Sequence, residues 1–179
     1  MIGIDGSKIN LPFSDSISEN FAPQTESKNG KTVYMANISQ AYDVLNNIVL
    51  DASITSIKGK QVSEHHQAIN HLKMLNKGDL ILADRGYPGF IMFKAILSEE
   101  LDFCIRLTKS TFYEAMKFIK SKQKDSIVEI TIRNKDTKAK CRKIGLSTDS
   151  IKVRLVKVKL NSGETEILAT TLLDREKYP

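Results

Sequence analysis

The chain has 179 residues, 41% hydrophobic and 27% charged, which is enough to bury a real core and is most simply one domain. No apolar stretch approaches the roughly 20 residues a membrane span needs, and the N-terminus lacks the basic start and long apolar segment of a signal peptide. Two cysteines, Cys104 and Cys141, cannot build a disulfide framework or a four-ligand zinc site, and a reducing cytoplasm is the plain inference. The net charge of +6, from 27 basic and 21 acidic side chains, modestly favours a polyanionic partner.

Ile2 to Ile4 opens a strand that runs into Asp5, with Gly6 letting the backbone turn just past it. Leu11 to Lys31 is rich in Ser, Asn, Gly and Pro and reads as a long loop, a length uncommon unless functional. Thr32 to Ser39 and Asn46 to Ile54 read as two strands of a hairpin around Tyr42-Asp43. Ser63 can cap a helix that carries Ile69, Leu72 and Leu75 inward and stops near Gly78. Leu80 to Ala83 has no polar face, so it reads as a strand buried on both sides. Asp84 falls where that strand ends, and Gly86 permits a sharp turn after it. Pro88 then fits the first turn of a helix with Phe90, Phe93, Ile96 and Leu97 on one buried face. Asp102 to Leu107 is another strand. Thr111 with Glu114 makes a capping box for a short helix bearing Met116 and Ile119.

From Ser126 onward the period changes to two. Ile127 to Arg133 alternates, and Ile151 to Leu160 alternates with a phase slip at Leu155-Val156 that suggests a bulge. Asn161-Ser162-Gly163 is a turn, and Glu166 to Leu173 a final strand. An α/β body over residues 1–120 thus carries an antiparallel β-rich insertion over 121–165 and a return strand over 166–179. The order strand, hairpin, helix, strand, helix, strand suits a ribonuclease H-like mixed sheet with helices.

The residues that carry chemistry are few. Asp5 and Asp84, 79 positions apart, each follow an apolar run and precede a glycine. Two such carboxylates on neighbouring strands would make a divalent-metal site, although an Asp in this position also serves as a strand-ending turn or a helix N-cap. Arg85 can reach a flanking phosphate or form a surface salt bridge. Arg106 and Lys109, at the end of the Asp102 strand, are weaker candidates for backbone contact. Between Lys138 and Lys159 lie eight basic residues (among them Lys152, Arg154 and Lys157) and one acid, Asp149. That run fits DNA phosphates and fits a solvated strand face equally well. His65, His66 and His71, at spacings other than four, read as solvated helix histidines. Cys104, among apolar neighbours, reads as core.

Asp5-Gly6-Ser7 and Asp84-Arg85-Gly86-Tyr87 together resemble the DDE transposases of bacterial insertion sequences, in the branch called the insertion sequence four family. There the first catalytic Asp sits in Asp-Gly-Ser or Asp-Gly-Thr and the second in Asp-Arg-Gly-Tyr or Asp-Arg-Gly-Phe. The likeness covers nearly the whole chain, including the hairpin Tyr34 to Ile54 and Leu172-Leu173-Asp174 before Glu176-Lys177-Tyr178-Pro179. It implies a ribonuclease H-like fold with a β-strand insertion, Asp5 and Asp84 as catalytic ligands of two Mg2+ or Mn2+ ions, and DNA cleavage and strand transfer. DNA ends and target would be the partners, with a homodimer in the full-length protein left open. The family's third acid is a helix-borne Glu preceded by Tyr and Arg and followed by Lys. Nothing here fits it, so the expectation is a truncated core, inactive by itself.

Two other classes compete with this one. A ribonuclease H-like remnant would hold DNA or a protein partner and cut nothing. A phosphotransferase of the actin-like sugar kinase kind would share Ile2 to Ser7 but needs a second glycine-rich phosphate motif, and none is present. A haloacid-dehalogenase phosphatase needs an Asp at position 7, where Ser7 stands.

Overall fold

A computed structural model describes residues 1–21, 23–25, 32–57 and 63–179. The chain forms a mixed α/β structure in two compact units, one of residues 3–74 and one of residues 1–2 with 75–179.

The first unit holds β1 (Ile2–Leu11), α1 (Asp15–Asn20), β2 (Pro23–Thr25), β3 (Thr32–Asp43), β4 (Ile48–Ser56) and α2 (Glu64–Leu72). β3 lies beside β1 and pairs antiparallel with both β2 and β4. Contrary to the sequence reading, β1 does not end at Asp5. It continues through Gly6 to Leu11, with Ile9 and Leu11 alternating about Asn10 in the phase opposite to Ile2 and Ile4, so no single period-two pattern announces its full length. The expected loop from Leu11 to Lys31 instead contains the end of β1, a helix capped by Ser14, whose hydroxyl accepts the Ile17 N–H at 3.2 Å, and β2. Residues 26–31 of that stretch lie outside the described residues.

The β3–β4 hairpin forms as expected. Asp43 builds its turn, accepting from the Leu45 and Asn46 amides and from the Asn46 side chain, and Asn47 takes a left-handed φ of 57°. Ser63 caps α2 as expected, accepting the His66 N–H at 3.3 Å. The buried face is Gln67, Ala68, His71 and Leu72, two i, i+4 rows that pack on β3 and β4. Ile69 is only half-buried, and Leu75 lies past the helix end. His71 is 1% exposed, which overturns its reading as solvated.

The second unit holds β5 (Leu80–Ala83), α3 (Phe90–Ser98), β6 (Asp102–Leu107), α4 (Tyr113–Lys120), β7 (Asp125–Ile130), α5 (Lys135–Lys143), β8 (Ile151–Lys159) and β9 (Thr165–Thr170). Its strands run in the order β5-β6-β9-β8-β7, with β5 and β6 parallel and every other neighbouring pair antiparallel. Phe93 of α3 stacks on Phe103 of β6 at 4.3 Å between ring centroids, and both side chains are fully buried. Each such ring contributes about 2 kcal/mol through burial. In β5 only Ile81 is fully buried, so the strand is less enclosed than its composition suggests.

Other expectations are corrected here. Gly89 is the N-cap of α3, so Pro88 stands just outside the helix. Thr111 makes no capping box: its hydroxyl accepts the Thr108 N–H at 3.0 Å and meets the Thr108 hydroxyl at 2.7 Å. α4 buries Ala115 and Phe118, leaving Met116 exposed and Ile119 half-buried. The insertion carries an unforeseen helix, α5, capped by Asn134, with Asp136 in its first turn and Lys140, Arg142 and Lys143 in its last. β8 has no bulge, since its pairing with β7 and β9 keeps one register throughout. The slip arises because Val153, Arg154 and Leu155 are all buried, on both faces of the strand.

After α3 the chain turns through Glu100 at φ 56°, a conformation that costs an L-residue about 1 kcal/mol. Its ion pair with Lys77 is largely solvent-exposed and contributes little. Glu100→Gly is therefore expected to raise stability by up to about 1 kcal/mol, read as a melting midpoint a few degrees higher.

Candidate functional site

Asp84 is the first residue past β5, and the four residues Asp84 to Tyr87 build their own turn. Oδ1 of Asp84 accepts the Gly86 N–H at 2.6 Å, and the Asp84 carbonyl accepts the Tyr87 N–H at 3.2 Å. The Tyr87 side chain, 2% exposed, anchors the far end in the core. Glycine at 86 follows from close approach: a Cβ there would sit 2.9 Å from Asp84 Oδ1. The carboxylate is thus aimed by a local device, exposed and flanked by the exposed Arg85.

Asp5 is presented differently. It lies inside β1 with its side chain exposed on an open cleft of about 450 Å3, lined also by Gly6, Ser7, Ser39, Gln40 and Ser53. The hydroxyl of Ser39, on β3, donates to the Asp5 carbonyl oxygen at 3.3 Å. Behind Ser39, Nε2 of His71 lies 3.0 Å from Ser39 Oγ, and His71 Nδ1 lies 2.6 Å from Oδ2 of Asp51 on β4. Sequence reasoning assigned no role to His71 or Asp51. The only signal was a histidine at an i, i+4 position from Gln67, on the face α2 must bury.

Asp5 and Asp84 are exposed carboxylates, the hard oxygen donors that magnesium and manganese take, so each fits a divalent ion as a ligand. Among the described residues no group of three or more His, Cys, Asp or Glu could hold a metal ion.

The cations divide into two kinds. Lys109 and Lys152 are exposed, as are Lys138, Lys140, Arg142 and Lys143, which lie on α5 and not on a strand. Lys159 is exposed as well, whereas Arg106, Lys157 and Arg154 are engaged within the unit. Arg106 pairs with Glu166 across β6 and β9. Lys157 donates from Nζ to the Ser121 carbonyl at 2.6 Å and sits 4.8 Å from the centroid of the Phe118 ring. Arg154 is 6% exposed: Nε donates to Asp125 Oδ2 at 2.9 Å, Nη2 lies 2.7 Å from the same oxygen, and Nη1 donates to the Tyr178 carbonyl. Buried and fully engaged, it holds β8 to β7 and to the C-terminal segment, which is a structural role. Cys104 is half-buried and Cys141 fully buried, and burial pushes both thiols up.

The fold places the chain in a class. It matches a piggyBac transposase solved by cryo-EM as a synaptic complex with hairpin DNA, at a TM-score of 0.53 and 12% identity. That match covers 97% of this chain and 33% of the other, so the chain spans about a third of that protein's length. The shared architecture is the ribonuclease H-like one. Residues 2–177 match the family model of the transposase DDE domain, and the chain belongs to that family. No curated protein matches it.

Two outcomes follow from this geometry. Gly86→Ala must push the Asp84 carboxylate off its amide, so the residue 86 amide proton should move upfield in NMR spectra while the melting midpoint changes little. Arg154→Leu should cost about 2 kcal/mol, because it strips a buried partner from Asp125. Hydrogen bonding from Arg154, with Arg175 adding, holds the Asp125 carboxyl below its usual 3.8. That contribution is present above the unfolded-state value and is lost as pH falls through the lower folded one. Denaturant melts should therefore show the gap between wild type and variant closing below about pH 4.

Proposed function

We propose that this chain supplies part of the catalytic core of a DNA transposase of the bacterial insertion-sequence type, in the insertion sequence four branch, acting in the cytoplasm. The observation that carries the reading is the Asp84-Arg85-Gly86-Tyr87 turn, which aims an exposed carboxylate from the end of a core strand in a chain of the DDE family. Asp5 and Asp84 would be ligands of Mg2+ or Mn2+. When bound, two such ions activate the attacking water or 3′-hydroxyl and stabilise the leaving oxygen. The chain's own residues do the positioning: Gly86 N–H orients Asp84, and Arg85 meets a phosphate beside it. Lys109, Lys152 and the cations of α5 hold the DNA backbone without reading sequence. DNA ends and a target duplex are the partners, with pairing of two copies of the protein.

A second reading is a module that holds DNA or a protein partner without cutting. It is favoured because, among the described residues, no group of three or more His, Cys, Asp or Glu comes together, against the larger ligand set that fixes two ions. The two readings separate in one assay on the protein extended to include the helix-borne Glu the family carries. Metal-dependent nicking of its own element's ends, abolished by Asp5→Ala and by Asp84→Ala, is the expected result. An extended protein that folds, binds those ends and stays inert gives the result to the second reading. For the 179-residue chain, duplex affinity should fall steeply with salt and be indifferent to sequence. Charge reversal at Lys138, Lys140 and Lys152 should flatten the log–log salt slope by about 0.9 for each phosphate no longer neutralised.

A further inference from the structure

We propose that His71 is a positioning residue for Asp5, acting through Ser39 and held in place by Asp51. The inference rests on the reading of Asp5 as a metal-ligating carboxylate. All four residues lie in the unit of residues 3–74. His71 projects from α2 and is 1% exposed, and Ser39 on β3 is 3% exposed, so both polar groups were taken out of water. Such burial carries a penalty unless every donor and acceptor is matched.

The direction of the chain of bonds follows from the donation of the Ser39 hydroxyl to Asp5. The Asp5 carbonyl can only accept, so the single Ser39 hydroxyl proton points at it. Ser39 Oγ must then accept at its other contact, which puts a hydrogen on His71 Nε2, 3.0 Å away. The 2.6 Å contact between His71 Nδ1 and Asp51 Oδ2 needs a second proton between those two atoms. Read in order, Asp51 orients the ring, the ring orients the Ser39 hydroxyl, and the hydroxyl fixes the peptide plane of Asp5. That plane sets the Cα from which the Asp5 carboxylate leaves β1 into the cleft.

Packing alone does not call for this arrangement. Beside the polar Asn37 and Gln67, the other buried residues of β3 and α2 are the apolar Ala36, Ala41, Ala68 and Leu72, and an apolar pair at 39 and 71 would fill the space without matched donors. The bonded chain ends, moreover, on the β1 residue that offers a carboxylate to the cleft. Outer contacts that orient a metal ligand are worth about 10-fold or more in metal affinity.

The test uses the 179-residue chain with Mn2+ as probe, followed by NMR line broadening at the Asp5 and Asp84 carboxylates. Ser39→Ala should keep its fold by thermal melting and weaken Mn2+ binding at Asp5 about 10-fold. Ser39→Thr, which keeps the hydroxyl, should restore binding. Wild-type Mn2+ affinity in a folded Ser39→Ala chain overturns the proposal, as does a folded Ser39→Thr chain that fails to recover. If the wild-type chain shows no broadening at Asp5, the metal reading itself has failed. The positioning role then stands or falls on the Asp5 carbonyl 13C shift, which should move in Ser39→Ala and His71→Phe and return in Ser39→Thr; an unmoved shift overturns it.

Discussion

The pairing of β6 with strands of both directions is the constraint on which the larger unit depends. Leu80 to Ala83 of β5 run parallel along Asp102 to Ile105, while Leu107 to Cys104 face Ile167 to Thr170 of β9 antiparallel. A strand so flanked has to bury one face in full, and Phe103, Ile105 and Leu107 do so, with Phe93 stacked on the first. Near Asp102, where the antiparallel pairing with β9 ends at Cys104, side chains add to the backbone bonds. The Thr170 hydroxyl donates to the Phe103 carbonyl at 2.6 Å, and the Thr171 hydroxyl accepts the Phe103 N–H and donates to Asp102. Because β5 is registered against β6, its last paired residue is Ala83, and Asp84 comes free of the ladder there.

This organisation was legible where hydrophobic pattern and local chemistry agree. Leu80 to Ala83, the α3 face of Phe90, Phe93 and Ile96, and Asp102 to Leu107 announce themselves by apolar runs and by bounding Gly, Pro and Asp residues. α5 was missed because Lys135 to Lys143 contains only Ala139 and Cys141 as apolar residues, too few to show a helical period. Its end signals were present all the same, in the Asn134 cap and the acid-to-base charge order. Past Asp5, the polar pair Ser7-Lys8 masked a strand whose backbone pairing, a tertiary matter, carries it to Leu11. At β8 a buried arginine imitates an apolar residue in the packing but not in the sequence, so Leu155-Val156 read as a bulge where none exists.

Charge counting misled in a similar way. Composition weighs every cation alike, yet Arg106, Arg154 and Lys157 spend their donors on Glu166, Asp125 and the Ser121 carbonyl. What is left for an anion among these cations is carried by α5, Lys109, Lys152, Lys159 and Arg85, and the centre of the basic run moves from a strand face towards a helix. No pattern along the chain separates the two groups. The distinction depends on which strand lies opposite which, and Asp125 opposite Val156, two positions along β8 from Arg154, is a fact of register.

The two carboxylates make the same point about local and non-local design. Asp84 is aimed by its own next residues, a bond from position 86 back to position 84, so four consecutive letters suffice to encode it. Asp5 has no such turn, because a strand interior leaves its peptide orientation to neighbouring strands. Its support comes from residues 39, 51 and 71, drawn from β3, β4 and α2, and these meet only when the unit has folded. A motif search can therefore find Asp84 together with its geometry and can find Asp5 only as a letter. A rigid functional group needs packed support around it. For Asp5 that support is polar, with Ser39 and His71 buried and Asp51 half-buried, which makes it sensitive to single changes at residues distant in sequence, whereas Asp84 answers chiefly to the residue at 86.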